Sequence, residues 1–182
     1  MNPYELLKKY FNADALQVIA THSRLVADKA LRIAKNCRSN QQLDISFIEE
    51  AAMLHDIGVS QTDAPSLCCH GTEPYIRHGV LGRALLEKEG LPRHALACER
   101  HIGVGLSVED IIAQGLPLPK RDMLPVSPEE KIIACADLFY SKRPGMLTIE
   151  KPLEQVRTEL SKFGGNKTAV FDQWVREFSL EK

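Results

Sequence analysis

Six side chains with metal-binding chemistry are spread along the chain, and its function can be argued from them. They are four histidines and two aspartates: His22, His55, Asp56, His78, His101 and Asp137. Neutral imidazole nitrogen and carboxylate oxygen together suit zinc, iron or manganese. Taken singly, each inward histidine is more often a satisfied core residue than a ligand. An all-helical core that buries all six is explained more economically by a shared metal ion, because aspartate is rarely buried without a partner.

Helices must bring these side chains together, because apolar residues recur at helical spacing almost throughout and no alternating strand pattern stands out. The sequence predicts an all-α fold, a single-domain helical bundle over 1–182, with a metal-site core of about 14–145 and a C-terminal helical extension of about 146–182. The predicted helices are Pro3 to Phe11, Asp14 to Asn36, a third from a Ser46–Glu49 capping box to His55–Asp56, Pro74 to Gly90, Pro92 to His101, Ser107 to Gly115, Ser127 to Tyr140, Pro152 to Gly164, and a last one capped by Asn166. The intervening loop from Val59 to Thr72 is long enough to suggest a functional role.

Composition excludes several classes of protein. The 182 residues carry a net charge of −1, whereas a general nucleic-acid binder usually has a basic excess. The sequence shows neither a run of about 20 apolar residues for crossing a bilayer nor the pattern of a signal peptide at its start. We therefore expect a cytoplasmic location, no membrane association and no nucleic-acid partner. The five cysteines are an odd number and suggest reduced packing residues rather than a disulfide framework.

The order of the ligands resembles a known family. His22, then His55-Asp56, then Asp137 resembles the HD superfamily of metal-dependent phosphohydrolases, and the segment 54–58, Leu-His-Asp-Ile-Gly, is its HDIG variant. The helix that starts at His78 and the segment ending at His101 resemble two further histidine helices of that branch. The resemblance covers most of the chain, from about His22 to Asp137, and implies a helical bundle of the HD-domain type.

Members with the two added histidines typically bind two metals. The resemblance implies that His22, His55, Asp56 and Asp137 hold one divalent transition metal, that His78 and His101 hold a second, and that Asp56 bridges the two. Nitrogen-rich ligation favours iron or manganese, with cobalt, nickel or zinc also compatible. A water between the two ions becomes a bridging hydroxide near neutral pH, the nucleophile for a phosphoryl group.

Six further residues are candidates for contact with substrate. Lys142 and Arg143 follow Asp137 closely and are candidates to clamp outer phosphates, although they could equally complement the end of a helix. His70, in the long loop, is a candidate proton donor or a solvated loop residue. Arg77 and the pair Lys120–Arg121 are weaker candidates for phosphate binding.

The leading functional hypothesis is hydrolysis of a phosphate ester or anhydride of a nucleotide or another small phosphorylated metabolite, by a monomer or homodimer. Two alternatives stay open: a di-iron oxygenase of the same fold, and a non-catalytic nucleotide-binding metal domain. The cyclic-dinucleotide branch of the family is disfavoured, because residues 103–106 read Gly-Val-Gly-Leu where that branch carries a Gly-Tyr-Pro signature.

Overall fold

The computed structural model describes residues 1–37 and 42–181. Helices dominate that part of the chain, and the prediction of an all-α fold is confirmed. The helices are α1 (Pro3–Tyr10), α2 (Ala13–Asn36), α3 (Ile45–Leu54), α4 (His78–Lys88), α5 (Pro92–Arg100), α6 (Val108–Ala113), α7 (Pro128–Asp137), α8 (Leu153–Ser161) and α9 (Gly165–Glu177). None of these helices combines the length and the apolar character needed to cross a membrane.

The long helix α2 is the centre of the core. Asn12 caps it by accepting a hydrogen bond from the backbone N–H of Ala15 at 2.9 Å. Its buried stripe, which includes Ile19 and Val26, packs against α3 and α7. Because His22 lies on this same stripe, the helical period alone turns its imidazole toward the interior.

Helices α4 and α5 pack against the segment that follows α3, and a pair of glycines permits this contact. A side chain on Gly58 would overlap the carbonyl oxygen of His78 and the backbone of Gly82. A side chain on Gly82 would overlap the thiol of Cys98 on α5. The glycine that ends the His-Asp-Ile-Gly motif is therefore required by backbone packing, and this close approach places the motif against the start of α4 at His78.

Three predicted helix starts are wrong in detail. Asp44, and not a Ser46–Glu49 capping box, caps α3, because the backbone is still non-helical at Asp44 and already helical at Ser46. The helix predicted from Pro74 begins as a 3-10 helix (Tyr75–Arg77) and becomes α4 only at His78. The last helix begins at Gly165, and its N-cap residue Gly164 has φ 112°, a conformation that favours glycine.

The segment predicted as a long loop has regular structure. After α3 the chain forms a 3-10 helix (Ile57–Gln61), and then two short strands, β1 (Asp63–Ala64) and β2 (Cys69–His70), separated by another 3-10 turn. The strands pair antiparallel, with Asp63 opposite His70. The segment is thus fixed by backbone hydrogen bonds, and its turn forms one wall of a cleft described below.

The C-terminal helices α8 and α9 pack on the core, as their aromatic residues suggested. Phe171, Trp174 and Phe178 are buried, and the ring centroid of Phe171 lies 6.1 Å from that of Phe139, just beyond α7. Burial of three large aromatic side chains is a substantial source of stability for this part of the chain. The extension is therefore continuous with the hydrophobic core.

Candidate metal centre

The structure brings all six predicted ligands to one buried place. His22 lies in the middle of α2, whereas the others lie at helix ends: His55 and Asp56 follow α3, His78 begins α4, His101 follows α5 and Asp137 ends α7. The imidazoles and Asp56 are buried, and the side chain of Asp137 is 18% exposed. Placement at helix ends lets several helices converge on one point without their backbones colliding.

One half of the cluster surrounds the Oδ2 atom of Asp56. The Nε2 atoms of His22 and His55 lie 3.3 Å and 3.1 Å from this oxygen. The same two nitrogens lie 2.9 Å and 3.4 Å from Oδ1 of Asp137. The donor atoms of His22, His55 and Asp137 all lie within 4.8 Å of one another, which is close enough for one ion to bind all three.

The other half faces the Oδ1 atom of the same carboxylate. The Nε2 atoms of His78 and His101 lie 3.7 Å and 3.8 Å from Asp56 Oδ1, and 3.1 Å from each other. A second group of donor atoms within 4.8 Å consists of His55, Asp56 and His101. Asp56 thus presents one oxygen to each pair of histidines, which is the geometry of a carboxylate between two cations.

Hydrogen bonds to the backbone fix which ring nitrogen of three histidines faces the centre. The Nδ1 atom of His55 lies 2.6 Å from the carbonyl oxygen of Ala52. In the same way, Nδ1 of His78 lies 2.8 Å from the carbonyl oxygen of Tyr75, and Nδ1 of His101 lies 2.7 Å from that of Cys98. A carbonyl only accepts, so Nδ1 carries the proton in each ring. In the neutral rings the lone pair is on Nε2 and points at Asp56, the arrangement that metal-binding histidines usually show.

Unsatisfied polar atoms support a cation at this place. Within the described residues, both oxygens of the buried Asp56 carboxylate and Nε2 of His55 make no hydrogen bond of acceptable geometry. The Lys142 ammonium, 2.6 Å from Oδ2, offsets part of the cost of burying this charge, and a divalent cation would satisfy the oxygen and nitrogen atoms that still lack a hydrogen bond. The donor set therefore fits a divalent metal, and its four imidazoles favour a transition metal over magnesium.

The pKa values of most side chains in the cluster favour the protonation states that bind metal, which are neutral imidazole and ionised carboxylate. Burial lowers the pKa of His101 to about 3, with the neighbouring imidazoles of His55 and His78 acting in the same direction. Burial also lowers the pKa values of His22 and His78. For Asp56, burial opposes ionisation, but the charges of His55 and Lys142 hold its pKa well below the usual value.

His55 differs from the other histidines. Burial acts to lower its pKa, but the charge of Asp56 and the contact with Asp137 outweigh burial and raise the pKa to about 10. In the absence of metal, His55 is therefore protonated at neutral pH. Because a ligand imidazole must give up the proton on its coordinating nitrogen, metal binding here is coupled to proton release.

Lys142 reaches the cluster itself, a position that the sequence did not predict. α7 ends at Asp137 and not at Tyr140, so the chain turns back and directs the lysine inward. Its Nζ atom lies 2.6 Å from Asp56 Oδ2 and 3.2 Å from His22 Nε2. Burial opposes the charge on Lys142, but Asp56 and the nearby Tyr75 and Asp137 raise its pKa above the usual value.

A cleft of about 510 Å³ opens beside the cluster. One of the other predicted substrate residues lines this cleft, and others lie outside it. Arg143 is exposed and lines the cleft together with Asp137 and Lys142. The structure does not bring His70 to the cluster: it is exposed on β2 and is not among the described residues that line the cleft. Arg77 and Arg121 are engaged elsewhere, in ion pairs with Glu73 and Glu99.

Sequence reasoning missed two residues near the cluster. Tyr75 lines the cleft, and its ring centroid lies 4.8 Å from that of His78. Glu99 is buried on α5 between the guanidinium groups of Arg83 and Arg121. Tyr75 lies three residues before His78, a helical spacing that gave a signal, whereas the spacing of Glu99, two residues before His101, gave none because residues two apart do not share a helix face.

Comparisons with known proteins agree with this geometry. The model of the HD domain family matches residues 19–140. An uncharacterized protein of Methanocaldococcus jannaschii, MJ0778, is 36% identical over 141 residues, which are 75% of this chain and 76% of that one. Two tRNA (cytidine(56)-2'-O)-methyltransferases, from Thermoplasma volcanium and Picrophilus torridus, are 32% and 34% identical over 75% of this chain. The match spans only 35% of each methyltransferase.

A solved structure shows the same fold at low identity. The HD domain of the Listeria monocytogenes phosphodiesterase PgpH superposes with a TM-score of 0.54 and 14% identity, covering 96% of both chains. The same domain in complex with cyclic-di-AMP gives a TM-score of 0.53 and 15% identity, covering 96% of this chain and 94% of that one. With the family model matching two thirds of its length, the chain belongs to the HD domain family of metal-dependent phosphohydrolases.

Proposed function

We propose that the protein is a metal-dependent phosphohydrolase that cleaves a phosphate ester or anhydride of a nucleotide or another small phosphorylated metabolite. The observation that carries the proposal is the division of the cluster around Asp56, with one carboxylate oxygen facing His22 and His55 and the other facing His78 and His101. Two divalent ions held in this way lower the pKa of a bound water and neutralise charge on a phosphoryl oxygen.

The residues of the chain prepare the site before any substrate arrives. The backbone carbonyls of Ala52, Tyr75 and Cys98 fix the tautomers of three histidines. Asp56 and Asp137 supply the negative charge that two divalent ions need. Because the imidazoles are buried, bulk water is excluded behind the ions, and electrostatic interactions in the site are strengthened.

The cleft supports a small substrate. Its volume of about 510 Å³ lies within the range of ordinary ligand pockets. Lys142 and Arg143 contribute positive charge to its lining and suit it to a phosphate group, whereas Asp63 in the same lining disfavours a long polyanion. A nucleotide is consistent with the bound cyclic-di-AMP of the PgpH domain and with the nucleic-acid chemistry named for the two methyltransferases.

The test is a screen for phosphate release. Purified protein is stripped with chelator, reloaded separately with Fe(II), Mn(II), Co(II) or Ni(II), and incubated with phosphorylated metabolites that include nucleoside mono- and diphosphates and cyclic dinucleotides. Parallel reactions run with and without dioxygen, and Asp56→Asn serves as the matched inactive variant. We expect metal-dependent hydrolysis that does not require oxygen and that Asp56→Asn abolishes.

Three results would contradict the proposal. Metal-loaded protein that releases no product from any phosphorylated compound would favour a binding domain. Turnover that requires Fe(II) and dioxygen would assign the oxygenase chemistry instead. Hydrolysis that persists unchanged in Asp56→Asn would show that a contaminating phosphatase or another site is responsible.

A further inference from the structure

Tyr75 occupies the entrance of the metal centre. It begins the 3-10 helix that leads into α4, and its backbone carbonyl oxygen accepts the 2.8 Å hydrogen bond from Nδ1 of His78. Its ring lies against the ring of His78 at a tilt of 32°, and it lines the cleft with Asp137 and Lys142. The residue remains 39% exposed, so one side of the ring faces a metal ligand and the other is open to the cleft.

The phenol of Tyr75 lies in a charged environment. Lys142 lies beside it, and the carboxylates of Asp56 and Asp137 are close enough to act on it electrostatically. A tyrosine hydroxyl keeps its proton at neutral pH and can donate one hydrogen bond.

We propose that Tyr75 is a substrate-binding residue of this site, and that its hydroxyl donates a hydrogen bond to a phosphoryl oxygen of the ligand in the cleft. The inference rests on the proposed function, since it assigns a further contact to the same substrate. Lys142 and Tyr75 would then contact the phosphate from one side, one as a cation and one as a neutral donor.

A purely structural role for Tyr75 makes a different prediction. The ring and the backbone carbonyl support His78, and both are retained in Tyr75→Phe, which removes only the hydroxyl. A packing role therefore predicts that Tyr75→Phe behaves as wild type. A substrate contact predicts weaker ligand binding with unchanged metal binding, because a hydrogen bond to a charged phosphate is lost.

The experiment uses the whole protein loaded with Mn(II) or Co(II). Inorganic phosphate and adenosine monophosphate are titrated calorimetrically into wild type, Tyr75→Phe and the control Tyr4→Phe, whose ring is exposed on α1. We expect Tyr75→Phe to weaken the binding of both ligands by about tenfold to a hundredfold. The Mn(II) affinity and the visible spectrum of the Co(II) form should match wild type, and Tyr4→Phe should be unchanged in every measurement.

Steady-state kinetics on any substrate found in the screen give a second readout. Tyr75→Phe should lower kcat/KM by the same factor as it weakens phosphate binding. Equal phosphate affinity and equal kcat/KM in Tyr75→Phe and wild type would overturn the inference while leaving the proposed hydrolysis intact. Conversely, a wild type that hydrolyses nothing but binds phosphate through the Tyr75 hydroxyl would remove the proposed function and keep this contact.

Discussion

Replacing Asp56 with asparagine is the sharpest perturbation of the metal centre. Asparagine has nearly the shape of aspartate but no charge, and among the described residues Asp56 is the carboxylate whose two oxygens face both pairs of histidines. We expect Asp56→Asn to lose most of the stabilisation that metal binding gives to the wild-type protein. The comparison is made within each variant, with and without metal, so any change in the metal-free protein cancels.

The size of the effect follows from the length of the chain. An unfolding entropy of about 2.1 cal/mol/K per residue gives about 0.4 kcal/mol/K for 182 residues. One metal at about 100 times its Kd stabilises by about 2.7 kcal/mol, which corresponds to about 7 °C, and two metals to about 14 °C. If removal of the shared charge weakens binding by about a hundredfold, the same metal concentration adds only about 0.4 kcal/mol per site, or about 1 °C.

Differential scanning calorimetry measures this shift directly. Wild type, Asp56→Asn and the control Asp63→Asn are stripped with chelator and scanned with and without Mn(II). Asp63 is an exposed carboxylate at the wall of the same cleft, outside the cluster of ligands. We expect wild type and Asp63→Asn to show the full increase in Tm and Asp56→Asn to show almost none. A full increase in Asp56→Asn would refute the assignment of this carboxylate to the metal.

Four further substitutions should change the stability, the KM or the metal affinity of the protein. Gly58→Ala should destabilise the protein by about 1–3 kcal/mol in urea, because its methyl group would overlap the carbonyl oxygen of His78. Glu99→Ala should cost about 2 kcal/mol in the same assay, since it leaves two arginines without their buried partner. Arg143→Ala should raise KM and leave the metal-induced shift in Tm intact. Lys142→Met should bind Mn(II) more tightly in calorimetric titration, because a competing cation is removed.

Helical periodicity predicted that His22 and His55 face the interior, and the resemblance to the HD superfamily implied the set of six ligands. His22 falls on the apolar stripe of α2, and the Leu-His-Asp-Ile-Gly segment comes at the end of an apolar run. Burial of the other side chains on each stripe leaves little freedom in where these residues point. What periodicity could not show is which ligand faces which carboxylate oxygen, because that depends on crossing angles between helices far apart in the chain.

Residues near helix ends were the least predictable. Asp44 and Ser46 both have side chains suited to an N-cap, and the choice depends on where the backbone first becomes helical. Tyr75 was missed because a 3-10 turn, which carries no apolar stripe of its own, directs it to the cleft. His70 was a candidate proton donor or a solvated loop residue, and pairing of β1 with β2 leaves it exposed.

Lys142 shows how one helix end changes the chemistry of a site. The sequence predicted a helix continuing to Tyr140, but α7 ends at Asp137 and the ammonium of Lys142 lies 2.6 Å from Asp56. A divalent ion at Asp56 Oδ2 would meet this positive charge at close range, and like charges in a buried site repel strongly. An ion bound there would therefore displace the ammonium from Asp56 Oδ2, toward the cleft that Lys142 and Arg143 line.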